Sequence, residues 1–231
     1  MWRLLLACAQ PDDGKEPERY EPAPGVEEVT LTTEDDVTLV ADWYGGCEDG
    51  GVLLLHMVPP TYDRTTWATT FIEGLREDGW CVLAIDRRGA GESGGVAEEA
   101  YDGPDGKLDA YAAVDFMTGE GVARLAIVGA SNGTATALDY AVDPGGRPSP
   151  EVMSWMSPGS YTNANSAMDD LDLARLSFHY PPEEASWPER QESRNPGEWA
   201  WFEYEGGDHG TFLFETNPEV EGDVRGYLLG G

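Results

Sequence analysis

The chain has 231 residues, of which 40% are hydrophobic and 10% aromatic, so it can bury the core of one α/β domain. Its 44 acidic and 14 basic side chains give a formal net charge of −30, which excludes nucleic acid as an expected partner because the surface would repel phosphates. So acidic a composition, with Lys15 and Lys107 as its only lysines, could reflect adaptation to salt, which screens the repulsion between like charges. An ordinary acidic exported protein is the alternative.

The N-terminal residues 1–24 are predicted to lie outside the folded domain, which spans 25–231. Leu5–Cys8 resembles a bacterial lipobox, in which the cysteine is lipidated, and a polar, proline-rich stretch follows as a flexible tether would. About five apolar residues precede Cys8, fewer than the roughly 7–15 of a signal peptide, so a truncated signal and a chance match both stay open. The pattern predicts an extracytoplasmic protein with a lipid anchor at Cys8; a cytoplasmic protein is the alternative.

Predicted strands and helices alternate along the rest of the chain. The first two strands alternate apolar and polar residues and form a hairpin, whereas the later ones are continuous apolar runs that suit strands buried on both faces. The strands are Val26–Thr33, Val37–Tyr44, Val52–Met57, Trp80–Asp86, Leu125–Val128, Val152–Met156, Leu173–Phe178 and Glu198–Tyr204. The helices are Arg64–Asp78, Lys107–Met117, Thr134–Val142 and a partly helical Phe212–Leu229. The order predicts an α/β fold, a mostly parallel sheet of about eight strands with helices on both faces.

The three cysteines are Cys8, Cys47 and Cys81. Their spacing fits no metal site, so neither a metal nor a cofactor is expected. Cys81 lies in an apolar strand, which predicts a buried thiol. A disulfide between Cys47 and Cys81 is an alternative that sequence alone does not support.

A sharp strand-to-helix turn is predicted at Gly129–Gly133, which fits the pattern G-x-S-x-G. Glycines two before and two after Ser131 permit a tight turn that presents its hydroxyl, and the next helix points its N-terminus at the same place. Ser131 is therefore the predicted nucleophile. An ordinary glycine-rich turn is the alternative.

The predicted base is His209, because a serine hydroxyl is a weak nucleophile without one. His209 lies among glycines just after the last predicted strand, where it can reach back to the serine. His56 and His179 end buried strands, and a structural role is expected for both.

Four segments in this order resemble the α/β-hydrolase superfamily, and within it the small, lidless dienelactone-hydrolase-like serine esterases. The resemblance extends from about Val26 to Leu229 and implies the α/β-hydrolase fold, hydrolysis of carboxylic esters through an acyl-enzyme, and a small-molecule ester as substrate. Residues 158–173 are too few for a cap domain. The four segments are Leu53–Met57, Ile85–Ser93, Gly129–Gly133 and Asp208–Gly210.

The resemblance also implies an oxyanion hole built from backbone N–H groups. One donor would be Asn132, and the other Val58 or, as second choice, Met57. Met57 stands where the family usually has glycine, which leaves the second donor open.

The acid of the triad is the least defined member. It is expected after the strand Leu173–Phe178, where Glu184 and Glu183 are near-equal candidates, with Asp170 and Asp172 as further alternatives. Asp208 adjoins His209 too closely to bend back to it.

The sequence leaves the roles of some residues and two alternative functions undecided. Tyr62 and Trp67 would line the cleft or pack at a helix start, and Asp86 and Arg88 are interpreted as turn-fixing residues. A thioesterase or peptidase could use the same triad, and an impaired, non-catalytic binding protein would result if no acid reaches His209. The sequence indicates no oligomeric state.

Overall fold

A computed structural model describes residues 23–48, 50–194 and 199–230. The predicted lipid anchor at Cys8 and most of the predicted tether lie outside the described residues. Within the described part, no helix is both long enough and apolar enough to cross a membrane.

One sheet organises the described residues, with eight strands in the order β1-β2-β4-β3-β5-β6-β7-β8. The hairpin β1–β2 forms one edge, β2 pairs antiparallel with β4, and all the remaining pairs are parallel. The strands are β1 (Glu27–Thr32), β2 (Thr38–Tyr44), β3 (Gly50–Leu55), β4 (Cys81–Ile85), β5 (Arg124–Ala130), β6 (Val152–Met156), β7 (Leu176–Tyr180) and β8 (Ala200–Glu203).

Helices cover both faces of the sheet. The α-helices are α1 (Thr69–Glu77), α2 (Gly106–Gly119), α3 (Gly133–Val142), α4 (Pro188–Glu192), α5 (Leu213–Thr216) and α6 (Glu219–Leu229). Because side chains alternate along a strand, Leu53 and Leu55 of β3 pack with α2 and α3, while Val52 and Leu54 pack with α1 and α6. The predicted mostly parallel eight-stranded sheet with two helical layers is confirmed.

Several predicted boundaries were wrong for local reasons. The helix predicted from Arg64 begins at Thr69, because Arg64–Thr66 is a separate 3-10 turn capped by the Asp63 side chain. The strand predicted at Leu173–Phe178 runs instead from Leu176 to Tyr180, paired on both sides by β6 and β8. The predicted strand Val52–Met57 ends at Leu55, so its last two residues belong to the loop beyond the sheet.

A disulfide joins Cys47, in the loop after β2, to Cys81, the first residue of β4. Their Cα atoms lie 5.0 Å apart, within the range that a disulfide spans. The prediction of a free buried thiol at Cys81 was therefore wrong.

The connection from β6 to β7 holds one short 3-10 helix, Met168–Asp170. This agrees with the expectation that no cap domain covers the carboxyl ends of the strands, where ligands bind in sheets of this kind.

Candidate active site

Ser131 sits at the turn between β5 and α3 with φ +48°, a conformation that costs energy for a residue with a Cβ. Its backbone N–H donates to the carbonyl of Met156 at 2.8 Å, which ties the turn to β6. A Cβ at Gly133 would lie 2.2 Å from the carbonyl oxygen of Leu55, and one at Gly129 would crowd the turn at 3.1 Å. Close backbone approach thus requires glycine at Gly133, as the sequence pattern predicted, whereas a Cβ at Gly129 would need the turn to shift slightly.

His209 lies on the loop after β8 and reaches the serine. Its Nε2 is 2.5 Å from the Ser131 Oγ. The next residue, Gly210, has φ +64° and donates its N–H to the Ser157 Oγ at 2.8 Å. A Cβ at Gly210 would lie 2.3 Å from the Met57 Sδ, so only glycine lets the loop approach this closely. The end of β6 and the loop after β3 therefore position the histidine.

Glu184 hydrogen-bonds the other ring nitrogen of His209 through its Oε1. A carboxylate can only accept, so Nδ1 carries the proton and the Nε2 lone pair faces Ser131. Glu184 Oε2 is buried and has no hydrogen-bond partner among the described residues. Glu184 ends the 3-10 turn Pro182–Glu184, which follows β7 directly.

The other predicted acids do not reach His209. Glu183 is exposed on the same turn as Glu184, and Asp170 and Asp172 are exposed in the β6–β7 connection. Within the described residues, none of the three hydrogen-bonds His209. Asp208 is also exposed, and its backbone N–H donates to the Thr216 Oγ1 at 3.1 Å.

The predicted oxyanion donors lie on two segments, the residue after Ser131 and the loop after β3. Asn132 is 8% exposed and immediately precedes α3, while Met57 is fully buried against the Gly210 backbone. Val58 is half-buried and its carbonyl accepts from the N–H of Tyr62 at 3.2 Å. In the described part of the chain, no protein acceptor takes the backbone N–H of Asn132, Met57 or Val58. The choice between Met57 and Val58 as the second donor stays a prediction.

The two remaining histidines are buried and structural, as expected. His56 Nδ1 lies 2.8 Å from the Met57 carbonyl, and burial lowers the pKa of His56 well below its usual value. His179 lies between Ser177 and Tyr204 and stacks on Phe202 at 4.6 Å. Burial lowers its pKa to about 3, so it is neutral at physiological pH.

The remaining predicted residues are Trp67 and Tyr62, expected at the cleft or at a helix start, and Asp86 and Arg88, expected to fix a turn. Trp67 is buried in an aromatic cluster with the Phe71 and Phe214 rings, so it packs rather than lines a cleft. Tyr62 remains half-buried, edge-on to Phe212 at 5.8 Å. Turn fixing by Asp86 and Arg88 is confirmed by the hydrogen bonds that they form to backbone and side-chain groups.

A cavity of about 240 Å³ opens beside His209 and Glu184. Its further lining includes Tyr161, Trp187 and Arg190, none of which the sequence analysis identified. The Tyr161 hydroxyl donates to the Ser157 carbonyl, and burial raises the pKa of Tyr161. No spacing signal marks these residues, because Tyr161 lies in the β6–β7 connection whereas Trp187 and Arg190 lie at the start of α4 and within it.

Comparison with known proteins supports the fold. The sequence matches no protein-family model and no curated protein. Among solved structures, two crystal forms of the Pyrococcus furiosus esterase Pf2001 are similar over 88% of this chain. One matches over 90% of its own length, at 20% identity and a TM-score of 0.69. The other matches over 92% of its own length, at 21% identity and a TM-score of 0.70. A candidate aryl esterase from Burkholderia cenocepacia is similar over 88% of this chain and all of its own, at 16% identity and a TM-score of 0.65. The chain has the α/β-hydrolase fold.

Proposed function

We propose that the protein is a serine hydrolase that cleaves small carboxylic esters through an acyl-enzyme. The observation that carries the proposal is the bridging position of His209, whose two ring nitrogens contact Ser131 and Glu184. A nucleophile joined to a base, with the base joined to an orienting acid, is the arrangement that activates a serine hydroxyl.

In the proposed reaction, the Ser131 Oγ attacks the ester carbonyl while His209 Nε2 accepts its proton. His209 then returns the proton to the departing alcohol, which leaves an acyl group on Ser131. Water attacks this acyl group, again with His209 as base, and releases the acid. Glu184 holds the imidazole in the tautomer whose Nε2 can accept, and its negative charge stabilises the imidazolium that forms.

The tetrahedral oxyanion would be bound by the backbone N–H of Asn132 and that of Val58 or Met57. The N-terminus of α3 adds a favourable electrostatic field, because its first N–H groups have no partner within the helix. Each oxyanion donor is typically worth about 3–4 kcal/mol of transition-state stabilisation.

Small esters are favoured over bulky ones by the shape of the site. The cavity beside His209 is about 240 Å³, and the short β6–β7 connection forms no cap domain that would extend it into a long apolar tunnel. The esterase names of the fold relatives are in keeping with this substrate class. The alternative of an impaired binding protein depended on an empty acid position, and the Glu184–His209 hydrogen bond weighs against it.

The test is turnover of p-nitrophenyl acetate and hexanoate, beside the matching thioester and anilide, by wild type, Ser131→Ala and Ser193→Ala. Ser193 is an exposed serine whose hydroxyl donates, among the described residues, to the Arg190 carbonyl alone, so its variant controls for the loss of a hydroxyl. We expect ester cleavage by wild type and Ser193→Ala and none by Ser131→Ala. Faster cleavage of the thioester or anilide would reassign the substrate class, and equal activity of the two serine variants would refute the mechanism.

We also propose an extracytoplasmic location, with a lipid anchor at Cys8. The Cys47–Cys81 disulfide supports an oxidising compartment. Expression of the full chain and of Cys8→Ser in bacteria, followed by membrane fractionation and intact mass, tests the anchor. With a complete apolar signal segment supplied upstream, an unlipidated Cys8 in the soluble fraction would refute it.

A further inference from the structure

Arg87 is a fully buried arginine directly behind the candidate active site. It follows β4 by two residues and has no exposed surface. Arg88 beside it is equally buried but has an evident structural role, since it pairs with Asp109 at 2.8 Å and with Asp35 at 2.9 Å. Among the described residues, Arg87 forms no salt bridge at all, and its Nε has no hydrogen-bond partner. Its role therefore needs another explanation.

One end of the Arg87 guanidinium contacts both segments of the proposed oxyanion hole. Its Nη1 donates to the carbonyls of His56 and Met57, at 3.2 and 3.3 Å, and to the Asn132 Oδ1 at 3.0 Å. The loop after β3 and the residue after the nucleophile are thereby joined through one cation.

The rest of Arg87 anchors that cation to the scaffold. Its Nη2 donates to the Ala100 carbonyl at 2.9 Å and to the Thr136 Oγ1, within α3, at 2.8 Å. Its backbone N–H donates to the His56 Nε2 at 2.9 Å, and the Nδ1 of that ring donates to the Met57 carbonyl. These bonds fix the guanidinium on several sides.

The bonds to His56 and Met57 determine where the next N–H groups point. In a trans peptide the C=O and N–H point in opposite directions. Carbonyls of His56 and Met57 that face Arg87 therefore turn the N–H groups of Met57 and Val58 away from it. This explains how the loop keeps its donors oriented toward the side opposite Arg87.

The buried charge of Arg87 has a desolvation cost that the nearby carboxylates of Asp109 and Asp139, which form no salt bridge with it, offset only in part. Burial lowers the pKa of Arg87 to about 10, which reflects the penalty on its charged form. A buried cation without a carboxylate partner destabilises the resting protein. The same charge would be compensated once a negative charge forms on the other side of the oxyanion donors.

We propose that Arg87 is a positioning residue of the oxyanion hole, which orients the Met57–Val58 and Asn132 donors and whose positive charge stabilises the tetrahedral oxyanion. This inference rests on the proposed esterase function. It predicts that loss of Arg87 weakens binding of the transition state and leaves substrate binding largely unchanged.

The test compares Arg87→Lys with Arg88→Lys, a matched change at the neighbouring buried arginine. For each variant we measure the melting temperature, and kcat and KM for p-nitrophenyl acetate. We also measure inhibition by phenyl trifluoromethyl ketone, which forms a tetrahedral adduct on serine. For Arg87→Lys we expect kcat to fall about 10–100-fold, less than the full loss of an oxyanion donor, with KM within about threefold. Inhibition should weaken by the same factor as kcat/KM. Arg88→Lys should lower the melting temperature and keep kcat within about threefold.

Thr136→Val, which removes one acceptor of Arg87, is the milder variant if Arg87→Lys does not fold. We expect it to lower kcat and inhibitor affinity together by about 3–10-fold, the equivalent of one neutral hydrogen bond. If Arg87→Lys folds and keeps wild-type kcat and inhibitor affinity, the inference is overturned, but the proposed esterase function is not. The same holds for Thr136→Val if it is used in place of Arg87→Lys. A wild-type protein without any turnover would overturn both.

Discussion

Replacing Glu184 by glutamine should slow ester cleavage strongly while leaving substrate binding almost intact. Glu184 is the acceptor for His209 Nδ1, and its second oxygen is buried without a partner among the described residues. A glutamine amide can donate to Nδ1, which places the imidazole proton on Nε2 and points it at Ser131. In that tautomer His209 cannot accept the serine proton.

The magnitude follows from the exposure of this pair. A hydrogen bond to a charged group contributes about 1.5–3 kcal/mol, and the wrong tautomer adds to that loss. The Glu184 side chain is 26% exposed and that of His209 43%, so water moderates the effect. We therefore expect kcat to fall about 10²–10³-fold, equivalent to about 3–4 kcal/mol, with KM changed less than about threefold.

Steady-state kinetics of Glu184→Gln and Glu183→Gln with p-nitrophenyl acetate provide the assay. Glu183→Gln is the matched control, because it removes the same charge from the same turn without touching His209. Its kcat should stay within about twofold of wild type, as expected for an exposed carboxylate. A Glu184→Gln enzyme with near wild-type kcat, or an equal loss in both variants, would refute the assignment of Glu184 as the orienting acid.

Three further predictions concern stability. Reduction of the Cys47–Cys81 disulfide, which closes a sequence separation of 34 residues, should lower stability by about 4 kcal/mol and the melting temperature by about 8–16 °C; an unchanged melting temperature after reduction, with thiol release verified, would contradict this. The folded state keeps His179 neutral down to about pH 3, whereas the unfolded state binds a proton below its usual value of 6.5, so His179 costs stability as the pH falls from 6.5 towards 3. Urea titrations measure the free energy of unfolding at each pH. Between about pH 6 and 4, that of wild type should fall more steeply than that of His179→Gln, by about 1.4 kcal/mol per pH unit. Parallel curves would show the reasoning to be wrong. Finally, raising NaCl from about 0.1 to 2 M should raise the melting temperature by about 5–15 °C, because salt screens the repulsion of a chain with net charge −30. If NaCl raises the melting temperature no more than sucrose does, the result argues against salt adaptation.

The elements that could be predicted from sequence are those with strong local constraints. Gly133 marks the Ser131 turn because backbone atoms approach it too closely for a Cβ, and Gly129 because a Cβ there would be tightly packed. The buried strands reveal themselves as apolar runs, and their order places His209 at the same edge of the sheet as Ser131.

The remaining features depend on distances that no local pattern encodes. Glu183 and Glu184 are adjacent on one 3-10 turn, where a single residue changes the direction of the side chain by about a third of a turn. Only the true end of β7, at Tyr180 instead of Phe178, sets which of them faces His209. Arg87 was missed because a buried arginine without an acidic partner looks, in sequence, like any surface charge.

The central claim is that Ser131 is an activated nucleophile. Labelling with a fluorophosphonate probe, followed by intact mass measurement and peptide mapping, tests it most directly. We predict one adduct per chain, on the peptide that contains Ser131. The adduct should be absent from Ser131→Ala and from denatured wild type. A folded wild-type protein that stays unlabelled in low and in molar salt, or that carries the label on another residue, would contradict the account.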